Sequence, residues 1–183
     1  MRLILNADDL GYSPGVSRAI LALIRAGRVT STSVPVNLLH SLDAMEAVGG
    51  CEGLGVGVHL NLTRGTPCLA PARVPTPSNG RGGFGSAPGL FSRALAGRIS
   101  QAEAAAELCA QIETAAARGI SVAHRDSHSH WHTLPRMASL VRNLAKEYHI
   151  PRVRVSDPRR APAISAAWLA AATGSRIHPE RGF

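Results

Sequence analysis

Gly55-Val56-Gly57-Val58-His59-Leu60-Asn61-Leu62-Thr63 decides how the chain is read. Side chains alternate along an extended backbone, so Val56, Val58, Leu60 and Leu62 make one wholly apolar face. Gly55, Gly57, His59, Asn61 and Thr63 make the other. One face is built to pack, and the other carries groups able to do chemistry. A lone histidine in such a strand is ordinarily a hydrogen-bonded core residue, so His59 takes its meaning from a second stretch.

That stretch is His124-Arg125-Asp126-Ser127-His128-Ser129-His130-Trp131-His132, which holds four of the 8 histidines in 183 residues. For as long as it stays extended, His124, Asp126, His128, His130 and His132 point the same way. Alternating His and Asp beside a short apolar run is hard to explain by packing and points to a metal or acid/base site.

Outward from these stretches the chain alternates strands and helices. Arg2 to Ala7 is a short buried strand, with Asp8-Asp9-Leu10-Gly11-Tyr12-Ser13-Pro14 as the loop leaving it. Val16, Ile20, Leu23 and Ile24 recur at helical spacing, with Gly27 placed to end the helix. Thr32 to Val36 is a β-branched strand, and Ser41 is placed to N-cap a short helix through Val48. Arg64 to Gly97 breaks into Gly and Pro and reads as a long loop over the strand ends. Ser100-Gln101-Ala102-Glu103 is a capping box opening a helix to Arg118, closed by Gly119. Ile120 to Ala123 is a strand feeding the histidine cluster, Pro135 opens a helix through Leu140, Leu144 and Tyr148, and Arg152 to Val155 is a fifth strand. A weak helix is expected over Ile164 to Ala172.

Such alternation indicates parallel βαβ units, and the polar residues fall repeatedly at the C-terminal ends of the strands, where α/β folds place their sites. The fold class is therefore α/β, in a single domain over 1–183. A formal charge of +8 raises nucleic acid as a partner, but the arginines are scattered and aromatics few, which argues for a solvated basic surface instead. The alanine-rich stretch around Trp168 is too short to span a bilayer. Three widely spaced cysteines, Cys51, Cys68 and Cys109, suggest free thiols, and with no signal sequence after Met1-Arg2 the expected compartment is the cytoplasm.

Three motifs, in order, carry a resemblance: Asn6-Ala7-Asp8-Asp9-Leu10-Gly11, Gly57-Val58-His59-Leu60-Asn61-Leu62-Thr63, and His124 to His132 ahead of Pro135. Together they resemble the YdjC-like carbohydrate deacetylases, collinear over 1–155, with 156–183 irregular or shortened. The resemblance implies a distorted (β/α) TIM-like barrel; the chain departs from the family in its shortened C-terminal part, which would leave the barrel incomplete, with an exposed sheet edge that favours a homodimer, aggregation or lost activity. It implies a divalent metal and hydrolysis of the acetamido group of an N-acetylated saccharide to amine and acetate. By position Asp9, His59 and His128 match the family's metal ligands and Asp8 its general base. His130 is the first candidate for the acid that protonates the departing amine, and Asp126 for orienting an imidazole. Trp131 and Tyr12 are candidates to stack on a sugar ring.

The family is usually described with Mg²⁺, whereas two imidazoles and a carboxylate favour Zn²⁺ on ligand softness. The same trio also serves non-haem iron oxygenases, but a water-activating base beside the ligand favours hydrolysis. The alternative from another class is a shortened member that holds metal or sugar without turnover. Ile177-His178-Pro179 is similar to a late His-Pro of the family, and no role is placed on it.

Overall fold

The computed structural model describes residues 3–154. Four parallel strands, β1 (Asn6–Ala7), β2 (Ser31–Val34), β3 (Gly55–Leu60) and β4 (Val122–Ser127), lie side by side in chain order. The sheet is open among the described residues. Beyond β4 a single parallel bridge joins Arg125 to Val153, all that is described of the expected fifth strand. The expectations placed on 155–183, the helix over Ile164 to Ala172 and His178 among them, lie outside the described residues.

Helices cross between the strands: α1 (Pro14–Arg25), α2 (Ser41–Val48), α3 (Ala87–Leu95), α4 (Gln101–Ala117) and α5 (Pro135–Glu147). The apolar face of β3 packs as its sequence requires. Val56, Val58 and Leu60 are buried with Leu108 and Ile112 of α4 and Val141 and Leu144 of α5 in one core. The buried strand expected from Arg2 to Ala7 is shorter than that: Leu3, Ile4 and Leu5 precede β1 and are 65%, 54% and 48% exposed, so the described residues leave the apolar start of the sheet half open. None of the described helices is long and apolar enough to cross a membrane.

Local chemistry sets the ends of these elements. Ser13 caps α1 by accepting from the Val16 amide at 3.3 Å, and proline enters in the first turn, where its missing N–H costs nothing. Ser41 behaves differently from its expected capping role: His40 holds the N-cap position, and the Ser41 hydroxyl donates to the Pro35 carbonyl instead. Ser100 does cap α4 at 3.3 Å from the Glu103 amide, but the Glu103 carboxylate turns away from the reciprocal bond. It accepts from the amide and hydroxyl of Thr76, at 2.7 and 2.8 Å, and so only half of the capping box forms.

That contact shows why 64–97 is more ordered than its Gly/Pro content suggests. The segment contains α3, whose Ser86 cap and apolar Leu90 and Phe91 are masked in the sequence by the surrounding glycines. It is pinned along its length by polar side chains. Glu107 of α4 accepts from the amides of Cys68 and Leu69 at 2.8 and 3.0 Å, and Arg93 donates to the carbonyls of Thr76, Pro77 and Ser78. Gln111 pairs both the amide and the carbonyl of Asn61, at 2.9 and 2.7 Å, closing the end of β3 as a neighbouring strand would.

Gly57 faces His124 across the β3–β4 pair. A Cβ there would sit 2.5 Å from His124 Nε2, too close for any real contact. Gly57→Ala is expected to cost about 1–3 kcal/mol in urea unfolding by overpacking against that ring. The double variant Gly57→Ala/His124→Ala is expected to lose less than the sum of the two singles, since the second change removes the obstruction.

Candidate metal centre

β1 ends at Ala7 and delivers Asp8 and Asp9 to the C-terminal edge of the sheet. Asp9 has φ +68, left-handed backbone that aspartate tolerates better than most residues, and the turn is closed by the Tyr12 amide on the Asp9 carbonyl at 3.0 Å. Leu10 N–H donates to Ser33 O at 3.1 Å, fastening the loop to the end of β2. The strained residue is thereby held with its carboxylate toward β3 and β4.

His59 of β3 and Asp126 of β4 are register partners, and their side chains meet: His59 Nδ1 lies 2.5 Å from Asp126 Oδ1. Both are buried. With Nδ1 engaged, the other ring nitrogen, Nε2, stands 3.3 Å from Asp9 Oδ1. His128 Nδ1 approaches the same oxygen at 2.9 Å. One ligand atom from each of Asp9, His59 and His128 therefore falls within 4.8 Å of the others. Such separations suit donors sharing an ion at bond lengths of about 2.1 Å, and a carboxylate behind the ligating imidazole is what orients histidine in metal sites. The donor set fits a divalent metal.

The electrostatics agree. Burial opposes charge on both groups, but the hydrogen bonds of His128 and His59 hold the Asp9 carboxyl well below the usual range. Against the same opposition from burial, Asp126 and then Asp9 push His59 up to about 9. Asp126 is lowered by its bond to His59 despite its burial. Without metal, a proton on His59 does the work of holding two carboxylates together.

The expected same-side alternation holds only through His128. β4 ends at Ser127, and Ser129 and His130 take left-handed backbone, with φ +61 and +53, inside a short 3-10 stretch from His128 to Thr133. The chain turns there. His124, Asp126 and His128 keep one face, with His124 deeper against Gly57; His130 is exposed, and the buried His132 ring lies 6.1 Å from that of His130. His132 is buried, with Nδ1 2.5 Å from the Ser127 hydroxyl and Nε2 3.1 Å from the Arg154 carbonyl, and burial pulls it down to about 4. Trp131 is wholly buried and is a packing residue rather than a sugar platform. Tyr12 already carries the Arg64 guanidinium 4.7 Å over its ring and stands 5.7 Å from the His128 ring.

Two residues absent from the sequence reading join the site. Ser33 of β2 donates to Asp126 Oδ2 at 3.1 Å and lies 3.2 Å from His59 Nδ1. Arg154 places Nη1 against Asp8 and, at 3.3 Å, against Asp126 Oδ2. The alternation of Ser31 and Ser33 along β2, and the place of Arg154 at the end of a predicted strand, are the only signals of either in the sequence.

Sheet and site together define an α/β protein with an Asp-His-His group and a second aspartate beside it at the strand ends. Residues 2–181 match the family model described as YdjC-like protein, and the chain belongs to that family. It is 37% identical over 163 residues to a carbohydrate deacetylase of Geobacillus stearothermophilus, covering 88% of this chain and 63% of the relative. It is 38% identical over 151 residues to a carbohydrate deacetylase of Brevibacillus brevis, covering 82% of this chain and 58% of the relative. Among solved structures, a candidate cellobiose-phosphate cleavage protein of Enterococcus faecalis superposes with TM-score 0.77 at 29% identity, over 92% of this chain and 62% of the other. The chain thus spans about three fifths of the length of the proteins it matches.

The raised His59 fixes a sign for pH dependence. Its stabilisation of the metal-free fold is fully present below its ordinary value of 6.5 and is lost as pH rises through about 9. The thermal midpoint of the metal-stripped chain is expected to fall across that interval, and His59→Gln to remove that component of the fall.

Proposed function

We propose that this chain is a metal-dependent hydrolase that removes acetyl from an N-acetylated sugar, leaving a free amine and acetate. The observation that carries the reading is Asp9, His59 and His128 converging at the strand ends with Asp8 alongside. The carbohydrate deacetylase names of its relatives support the substrate class. The sequential parallel order of the strands and the likeness to a longer solved chain support reading the open sheet as an arc of a (β/α) barrel.

A divalent ion held by Asp9, His59 and His128 would polarise the acetyl carbonyl and acidify a water, zinc on ligand softness and magnesium by resemblance to the family. Asp126 and Ser33 engage His59 Nδ1 and keep Nε2 facing Asp9. Asp8 takes the proton of the attacking water, its carboxylate fixed from below by Asn6 Nδ2 at 2.6 Å. An amine cannot leave as an anion, so a protonated imidazole must supply its proton. His130, at the rim, is the residue we assign to that step; burial and the nearby Arg154 charge lower its pKa, which makes its protonated form a stronger acid and leaves less of it at neutral pH.

The test is acetate release from di-N-acetylchitobiose by the metal-stripped chain re-supplied with Zn²⁺, Mg²⁺ or Mn²⁺. Release restored by one ion is expected, with Asp8→Asn lowering kcat about 10²-fold or more while metal stays bound, and His128→Ala losing both metal and turnover. Stoichiometric metal binding with no release from this or longer N-acetylated oligomers would favour the alternative, a metal- or sugar-holding member of the family without turnover.

A further inference from the structure

Arg154 touches two carboxylates of the site with one nitrogen, and nothing in the reaction as described requires it to. We propose that Arg154 is a positioning residue that locks Asp8 against Asp126, and that His132 is the peg that holds Arg154 in place. The inference rests on the reading of Asp8 as the proton acceptor.

Asp8 is held at both oxygens. Oδ1 accepts from Asn6 Nδ2 at 2.6 Å, and Asn6 is itself fixed by the Ser31 hydroxyl on its Oδ1 at 2.6 Å. Oδ2 accepts from Arg154 Nη1, and the same nitrogen reaches Asp126 Oδ2 at 3.3 Å. Asp8, Asp9 and Asp126 bring three carboxylates to one strand edge, and Arg154 is the guanidinium between two of them. Without it Asp8 and Asp126 repel, and Asp8, which is part-exposed, is free to swing to solvent. An ion pair this open adds little stability, so its consequence is where the carboxylate points.

The backbone of Arg154 is fixed on both sides. Its N–H donates to the Arg125 carbonyl at 3.0 Å, and its own carbonyl accepts from His132 Nε2 at 3.1 Å. That bond sets the tautomer. With the ring proton on Nε2, His132 Nδ1 accepts from the Ser127 hydroxyl at 2.5 Å, and Ser127 Oγ in turn accepts the His132 amide at 3.2 Å. Both ring nitrogens and the amide of the peg are thereby used. The last histidine of the cluster serves the site from behind by holding the segment that carries Arg154.

Two measurements decide the matter. The first is the crystal structure of the metal-free Arg154→Met chain, which needs no turnover: the Asp8 carboxylate is expected to leave Asn6, and an Asp8 that stays in place overturns the proposal. The second is kinetic, with divalent ion supplied. Arg154→Ala is expected to lower kcat about 10²-fold with KM and metal affinity nearly unchanged, and added guanidinium to restore part of the loss. Arg154→Lys is expected to keep more activity than Arg154→Met, because a single nitrogen makes both contacts. Equal loss of kcat, metal affinity and thermal midpoint without guanidinium rescue would make Arg154 a merely structural residue and overturn the proposal. A wild-type chain that releases no acetate removes the deacetylase reading, and the structure of the Met variant then decides the positioning role alone.

Discussion

Everything at the strand ends depends on the buried carboxylate of Asp126. It accepts from His59 of β3 on one oxygen and from Ser33 of β2 and Arg154 on the other, so one side chain ties three neighbouring segments together. A buried charge is tolerated only when it is paired and hydrogen-bonded, and Asp126 has partners on both oxygens. The result is a fixed platform beneath the Asp9, His59 and His128 donors. His59 cannot rotate without breaking its bond to Asp126, which is why the nitrogen left over faces Asp9.

Around that platform the fold places its irregular backbone where the chemistry needs it. Asp9 is left-handed at the end of β1, and Ser129 and His130 are left-handed at the end of β4. Both departures let a strand stop abruptly, so that the next side chains spread around the site instead of continuing the alternation. The 64–97 segment is held by the other buried carboxylate, Glu107, whose pKa is raised by burial against the bonds it accepts. A loop tied in this way to a helix of the scaffold keeps its shape without strands of its own.

The core side of β4 carries a buried cation. Arg125 is fully buried, its guanidinium nitrogens have no hydrogen-bond partner among the described residues, and burial lowers its pKa to about 10. It lies on the opposite face of β4 from Asp126, so its desolvation falls on the packing layer rather than on the site.

The sequence by itself determined the strand and helix alternation, the apolar face of β3, and the candidates Asp8, Asp9, His59 and His128. Period-two patterning is a local property, and parallel strands align their C-terminal ends whatever their partners. Three things were decided only by tertiary structure. The run of alternating histidines stops at Ser129 because the backbone turns left-handed there, a choice no side-chain pattern announces, so His130 and His132 do not continue the alternation of β4. The helix α3 forms because Leu90 and Phe91 find the core, which overrides the glycines around it. Ser33 and Arg154 reach Asp126 from 93 and 28 residues away, so their part in the site exists only once the sheet has aligned them.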